Sequence, residues 1–163
     1  MHRARVPLNP QPQSKLDAVI EKCEFSIKEM HRPIIWSKTA NSATVSSTVN
    51  GNVIPLTPIL DAETYEYMDI TREEDTPIRF RGYVSSYNMN TFKGRIFVPD
   101  EGRPVAFHLN DSARNSKVIS RITASLAENA TSGASLKAII TCIGFRNVSK
   151  SGRLKSYRII DVE

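Results

Sequence analysis

The sequence predicts an α+β protein in which a helix and a β-hairpin precede a five-stranded antiparallel barrel of order β-β-β-α-β-β. Three observations lead to this prediction. Polar and apolar residues alternate in three runs across residues 79–109, apolar residues recur at helical spacing over residues 111–129, and two apolar runs follow. A period of two is typical of a strand with one buried face, and a period near 3.6 is typical of an amphipathic helix.

The three runs within residues 79–109 predict a meander of three strands. In the first run Phe80, Gly82 and Val84 share one face, which we expect to be buried. The turn-forming sequence at residues 99–102 separates the second run from the third. The opposite face of the first run is basic and aromatic, since it carries Arg79, Arg81, Tyr83 and Tyr87.

The remaining elements of the basic half follow in order. The helix over residues 111–129 has a buried stripe that includes Val118 and Ile122. We expect apolar strands over residues 136–145 and 153–162, joined by a basic hairpin loop at residues 146–152. The predicted barrel domain therefore covers residues 77–163.

The preceding residues predict two further segments. Residues 1–13 are rich in proline, asparagine and glutamine, which is typical of a linker or a disordered segment. Residues 14–76 predict a helix-and-hairpin module, in which Asn50-Gly51 forms the hairpin turn and Asp61 caps a short helix. The first helix carries an apolar stripe that we expect to pack in the core: Leu16, Val19, Ile20, Cys23, Ile27 and Met30.

Charge is divided unevenly along the chain. Residues 1–76 hold 8 Lys and Arg against 11 Asp and Glu, whereas residues 77–163 hold 14 against 6. A basic domain attracts polyanions such as nucleic acid, although an acidic protein surface would satisfy the same electrostatics. The chain shows no secretory signal and no apolar run long enough to span a bilayer, and we expect both cysteines to be buried free thiols in the cytoplasm.

The motifs of common enzyme classes are missing from the sequence. The three histidines are scattered, no Cys/His set has the spacing of a metal site, and neither a phosphate-binding P-loop nor a G-x-S-x-G motif occurs. We therefore predict a non-catalytic protein with no cofactor and no metal.

The order of three strands, one helix and two strands resembles the OB-fold, a five-stranded barrel with a helix between its third and fourth strands. A second resemblance, to the cold-shock domain, rests on Gly82-x-Val84-x-x-Tyr87-Asn88, Lys93-Gly94-x-Ile96, Pro99-Asp100-x-Gly102 and Val105-x-Phe107-His108. Arg95 and Phe97 depart from the alternate aromatic positions of that family. Residues 15–163 also resemble uncharacterised bacterial two-domain proteins, in which the basic half is the carboxy-terminal barrel.

The OB-fold resemblance implies a binding face on strands 2 and 3 and on the loops joining strands 1–2 and 4–5. Aromatic rings there stack on bases, and cations follow the backbone of a single strand. Candidate residues for nucleic-acid binding are Arg81, Tyr83, Tyr87, Phe92, Lys93, Arg95, Phe97, Lys150, Arg153, Lys155 and Tyr157. The alternative is that Tyr83, Phe97 and Tyr157 are cross-strand pairs or core residues. Binding of single-stranded RNA or DNA is the predicted function, and a protein-interaction or scaffold module within a larger assembly is the alternative.

Overall fold

A computed structural model describes residues 13–56, 59–133 and 135–163 of the chain. The predicted linker at residues 1–13 lies outside these residues except for Gln13, where the first helix begins. The helices are α1 (Gln13–Met30), α2 (Arg32–Ile35), α3 (Ala62–Asp69) and α4 (Ser116–Ser132). The strands are β1 (Ser46–Val49), β2 (Asn52–Pro55), β3 (Thr71–Glu73), β4 (Ile78–Asn88), β5 (Lys93–Val98), β6 (Arg103–Leu109), β7 (Ile140–Ser149) and β8 (Leu154–Val162).

Strands β4 to β8 form a closed barrel, with the order β7-β4-β5-β6-β8 and a final pairing of β8 with β7. The predicted three-stranded meander is confirmed by β4, β5 and β6. The prediction that every pair is antiparallel is wrong, because β6 and β8 are parallel. Strand directions cannot alternate around a closed ring with an odd number of strands, so at least one pair in a five-stranded barrel must be parallel.

The core lies inside the barrel and beneath α4. The inward positions of the meander, Val84, Ile96 and Val105 among them, are fully buried. Helix α4 adds Val118 and Ile122, which are also buried, so the predicted stripe of this helix is confirmed.

Helix α4 also completes hydrogen bonds that β4 loses where it separates from β7. Pairing of these strands reaches Gly82 and Ile140, and beyond that point the Val84 N–H has no β7 partner. The Ser125 hydroxyl of α4 accepts from the Val84 N–H at 3.0 Å, and Asn129 donates to the Val84 carbonyl at 3.1 Å. The helix therefore continues the hydrogen bonding of the sheet at this position.

Several predicted boundaries in the basic half are wrong by a few residues. The strand predicted to begin at residue 136 begins at Ile140, after a 3-10 turn at Leu136–Ala138. Residues 111–113 form a short 3-10 turn, and α4 begins only at Ser116, where the Asn115 side chain accepts from the Val118 N–H. The predicted loop at residues 146–152 is shorter than expected, because β7 continues to Ser149 and pairs there with β3.

The predicted hairpin and short helix of the amino-terminal half are confirmed. Strands β1 and β2 pair antiparallel, and Asn50 and Gly51 have φ angles of 51° and 78°, as their turn requires. Asp61 caps α3 by accepting from the Thr64 N–H, while the Thr64 hydroxyl oxygen accepts from the Asp61 N–H.

The prediction that the apolar stripe of α1 packs in the core is wrong for the side chains that the structure describes. Val19, Ile20 and Met30 are 58%, 47% and 47% exposed, and Cys23 is exposed as well. Ile27 is half-buried, and the side chain of Leu16 lies outside the described residues. Cys142 is buried as expected, and neither cysteine forms a disulfide.

Candidate nucleic-acid interface

The outer face of β4 and β5 carries a stacked aromatic pair. Tyr83 is the register partner of Phe97, and their ring centroids lie 5.0 Å apart with an angle of 15° between the planes. Both side chains are half-buried, and neither packs against the core cluster inside the barrel. The pair therefore presents aromatic surface on the outside of the barrel, where a planar group could stack.

Cations lie on the same face of the barrel as this pair. Arg81 lies two residues before Tyr83 on β4, while Lys93 and Arg95 share the outward side of β5 with Phe97. Arg81 and Lys93 are exposed, and neither has an ion-pair partner among the residues that the structure describes. We call Arg81, Tyr83, Lys93, Arg95 and Phe97 the outer face.

Arg95 of the outer face is held by α1. Its guanidinium lies 2.7 Å from one carboxylate oxygen of Glu21 and donates to the Pro104 carbonyl. The second oxygen of Glu21 lies 2.9 Å from Arg103, which is only 3% exposed and donates to the Leu154 carbonyl. One carboxylate of α1 thus bridges a cation on the outer face and a cation buried at the start of β6.

A second carboxylate of α1 holds the cations at the start of β8. Glu24 lies 2.9 Å from Arg153 and 2.7 Å from Lys155, and 3.1 Å from Lys28 of its own helix. Burial alone would raise the pKa of Glu24, but hydrogen bonds from Lys155, Lys28 and Arg153 outweigh it and hold the pKa below its ordinary value. Glu24 is therefore a carboxylate at neutral pH.

The other predicted aromatic residues lie closer to the core. Tyr87 stacks on Phe107 with centroids 6.2 Å apart, and burial raises the pKa of its hydroxyl. Phe92 packs against the core and against the Arg114 guanidinium, 4.8 Å from its ring centroid. Tyr157 is 2% exposed and stacks on Phe80 inside the barrel, so its ring is not accessible to a ligand in this structure.

Burial also explains the titration of Tyr157, whose pKa is raised to about 12 mainly by loss of solvation. Of the alternatives that the sequence left open, Tyr157 is a core residue, and Tyr83 with Phe97 is a cross-strand pair. A cross-strand pair on the outer face remains compatible with stacking on a base, whereas a core residue does not.

Lys150, the last predicted cation, is exposed and lies 5.6 Å from the ring of Tyr67 in α3.

Comparison with known proteins identifies one relationship. The model of DUF7947, a family of unknown function, matches residues 76–163, which is more than half of the chain. The chain belongs to DUF7947. No curated protein and no solved structure matches it.

The DUF7947 segment contains a row of side chains in which the predicted Lys93 is joined by His108 and Arg158, two residues outside the predicted site. Lys93 is the register partner of His108, and His108 is the register partner of Arg158. The Arg158 guanidinium lies 4.4 Å from the Phe145 ring and is bound by both carboxylate oxygens of Glu73 at 2.6 Å. Burial, and then the charges of Arg158 and Lys93, hold the pKa of His108 below its ordinary value.

The sequence does not predict the residues that form ion pairs with partners far away in the chain. Arg103 begins a strand next to a turn, and nothing in the neighbouring sequence indicates that its side chain is buried. Glu21 and Glu24 lie three residues apart, which places them on the same side of a helix and could have indicated an acidic face. The sequence therefore indicates an acidic face on this helix, but it does not indicate which cations of the DUF7947 segment pair with that face.

No group of three or more His, Cys, Asp or Glu side chains among the described residues is arranged to hold a metal ion. Within the same residues, no helix is long and apolar enough to cross a membrane.

Proposed function

We propose that the protein binds single-stranded nucleic acid on the outer face of the barrel and catalyses no reaction. The observation that carries this proposal is the stacked Tyr83–Phe97 pair, which shares the outside of β4 and β5 with Arg81, Lys93 and Arg95. Aromatic rings supply stacking platforms for bases, and neighbouring cations attract the phosphates that link them. Binding of a single strand requires both aromatic rings and cations, and both kinds of side chain lie on the outer face.

The barrel architecture supports the β5 half of this surface. A five-stranded barrel with a helix between its third and fourth strands fits the OB-fold, which binds oligonucleotides on the face of its second and third strands. Those strands correspond to β5 and β6. Lys93, Phe97 and His108 stand on the outward side of these strands, beside the small residue Ala106.

Fluorescence anisotropy of labelled single-stranded DNA and RNA tests the proposal. We expect binding that weakens steeply between low and near-physiological salt, because phosphate contacts release counterions. The double variant Arg81→Glu/Lys93→Glu should lose most of this binding and retain its fold by circular dichroism. The control variant Lys15→Glu/Lys38→Glu changes net charge equally in the amino-terminal half and should bind nearly as well as the wild type. No binding of either strand at low salt contradicts the proposal.

One observation favours the second candidate, a protein-interaction module. The β1–β2 hairpin exposes Val49, Val53, Ile54 and Leu56 by between 47% and 69%, and no charged residue or histidine occurs between Lys38 and Asp61. A two-stranded hairpin is marginally stable alone, and an uncharged apolar surface is suited to pairing with a second copy. Sedimentation velocity should then show a mass that rises with concentration and returns to that of a monomer in Ile54→Lys. A monomer at every concentration contradicts self-association.

A further inference from the structure

Two carboxylates of α1 form ion pairs with four cations of the barrel. Glu21 pairs with Arg95 and Arg103, and Glu24 pairs with Arg153 and Lys155, at distances between 2.7 and 2.9 Å. The four cations come from β5, from β6 and from the start of β8, so strand pairing rather than sequence proximity brings them together. We call Arg95, Arg103, Arg153 and Lys155 the cation cluster.

The cation cluster has the features of an anion-binding site. The side chains of Arg103, Arg153 and Lys155 are 3%, 12% and 15% exposed. Charge pairs that are this far removed from solvent are screened less than surface pairs. In addition, the buried Nε of Arg103 has no hydrogen-bond partner among the described residues, so the cation cluster has a donor that they leave unused.

We propose that the cation cluster is a binding site for the phosphodiester backbone of single-stranded nucleic acid, and that Glu21 and Glu24 occupy it until nucleic acid displaces α1. This inference rests on the function proposed above and extends its surface, since Arg95 belongs both to the outer face and to the cation cluster. Carboxylates and phosphates are anions that arginine binds through the same donors. Helix α1 and a nucleic acid strand therefore compete.

The way in which α1 is attached favours displacement over permanent packing. The helix directs its carboxylates to the barrel and leaves Val19 and Met30 in solvent, so apolar burial contributes little to its docking. A cavity of about 590 Å³ separates parts of α1 from the β7–β8 turn and is lined by Ile20, Ile27 and Arg153. An interface held mainly by ion pairs can be exchanged for another anion without exposing a buried apolar core.

Removal of the two charges from α1 tests the competition. We expect Glu21→Gln/Glu24→Gln to raise the affinity for a labelled single-stranded oligonucleotide by about 5- to 150-fold, the usual range of coupling between sites. The control Glu29→Gln/Glu66→Gln removes the same charge from exposed carboxylates that do not contact the barrel, and its affinity should rise only slightly. Equal affinities for the two double variants would overturn the proposal.

A probe on Cys23 tests displacement in the otherwise unchanged protein. Cys23 is exposed on α1, whereas Cys142 is buried and burial raises the pKa of its thiol to about 12, so a spin label should react at Cys23 alone. Added oligonucleotide should increase the mobility of the label over the same concentrations at which anisotropy reports binding.

The two experiments separate the two proposals. Oligonucleotide binding without a change in label mobility would overturn the competition and leave the proposed function standing. Absence of binding to the wild type and to Glu21→Gln/Glu24→Gln at low salt would overturn both, since release of α1 would then expose no binding site.

Discussion

Tyr83 and Phe97 gain their importance from their side of the sheet rather than from being aromatic. Tyr157 and Phe80 form a closer stack, with ring centroids 3.9 Å apart, but it lies inside the barrel, where it stabilises the core. Alternation along β4 and β5 predicted the outward side of Tyr83 and Phe97 from the sequence. In contrast, the sequence could not place Tyr157, because β8 carries irregular pairing with β7 that disturbs simple alternation.

Truncation of one ring of the stacked pair should weaken nucleic-acid binding. For Tyr83→Ala we expect a loss of about 1–3 kcal/mol in binding free energy, the usual value for one base–aromatic contact. Tyr83→Phe keeps the ring and should bind almost as the wild type does. Phe145→Ala removes an outward aromatic ring from β7 and is the matched control. Anisotropy titrations measure all three, and an unchanged affinity in Tyr83→Ala would exclude stacking on this ring.

Protonation of Glu24 should release α1 at acidic pH. The groups that face Glu24 are Lys28, Arg153 and Lys155, and Asp69 contacts Lys28 from α3. The pKa of Glu24 is lowered in the folded state from an ordinary value of 4.5. The stabilisation that the Glu24 carboxylate gives to the docked helix is therefore complete above pH 4.5, and it is lost as pH falls through the lowered pKa. The mobility of a spin label on Cys23 should stay constant above pH 4.5 and rise below it. A rise that begins near neutral pH would assign the docking to another group.

Among the secondary-structure elements, the hydrophobic period and the turn-forming residues predicted most of the strands, helices and turns that the structure contains. The meander, the Asn50-Gly51 hairpin and the Asp61 cap depend on local preferences, and all of them are present. The start of α4 was missed because residues 111–113 adopt a 3-10 turn before the Asn115 cap. The prediction for α1 is wrong for a different reason. An apolar stripe predicts which side of a helix is buried, but it gives no information about the cations of other elements with which the carboxylates of the helix form ion pairs.

Helix α4 should stabilise the barrel through Ser125 as well as through its apolar side chains. Ser125→Ala removes the acceptor of the buried Val84 N–H, and an unpaired buried donor costs about 1–3 kcal/mol. Urea denaturation should therefore give a lower free energy of unfolding by about this amount. Ser120→Ala, on the exposed side of the same helix, is the control and should change stability little. Equal stabilities of Ser125→Ala and the wild type would show that water accepts the hydrogen bond of the Val84 N–H in the variant.

At the scale of the whole molecule, the division of charge predicted a basic barrel with an acidic amino-terminal half. The structure shows a consequence that composition does not contain, because carboxylates of the first half are paired with cations of the second. The pairing of Arg158 with Glu73 follows the same principle. The sequence predicts Arg95, Arg153 and Lys155 as accessible cations, because ion pairs between residues more than 70 positions apart leave no local pattern.

The parallel β6–β8 pair also belongs to this scale. The five strands were predicted individually, but the ring that they close fixes their relative directions. Closure places the start of β6 beside the start of β8, and this neighbourhood brings Arg103 close to Arg153 and Lys155. The cation cluster is therefore a product of topology, which explains why no motif in the sequence indicated it.

Photocrosslinking tests the central claim, nucleic-acid binding by the outer face, most directly. A single strand that contains 5-iodouracil is irradiated in complex with the wild-type protein, and mass spectrometry identifies the attached residue. We expect attachment at Tyr83 or Phe97, and loss of that product in Arg81→Glu/Lys93→Glu. Attachment confined to residues outside the barrel, with the outer face unmodified, would contradict it.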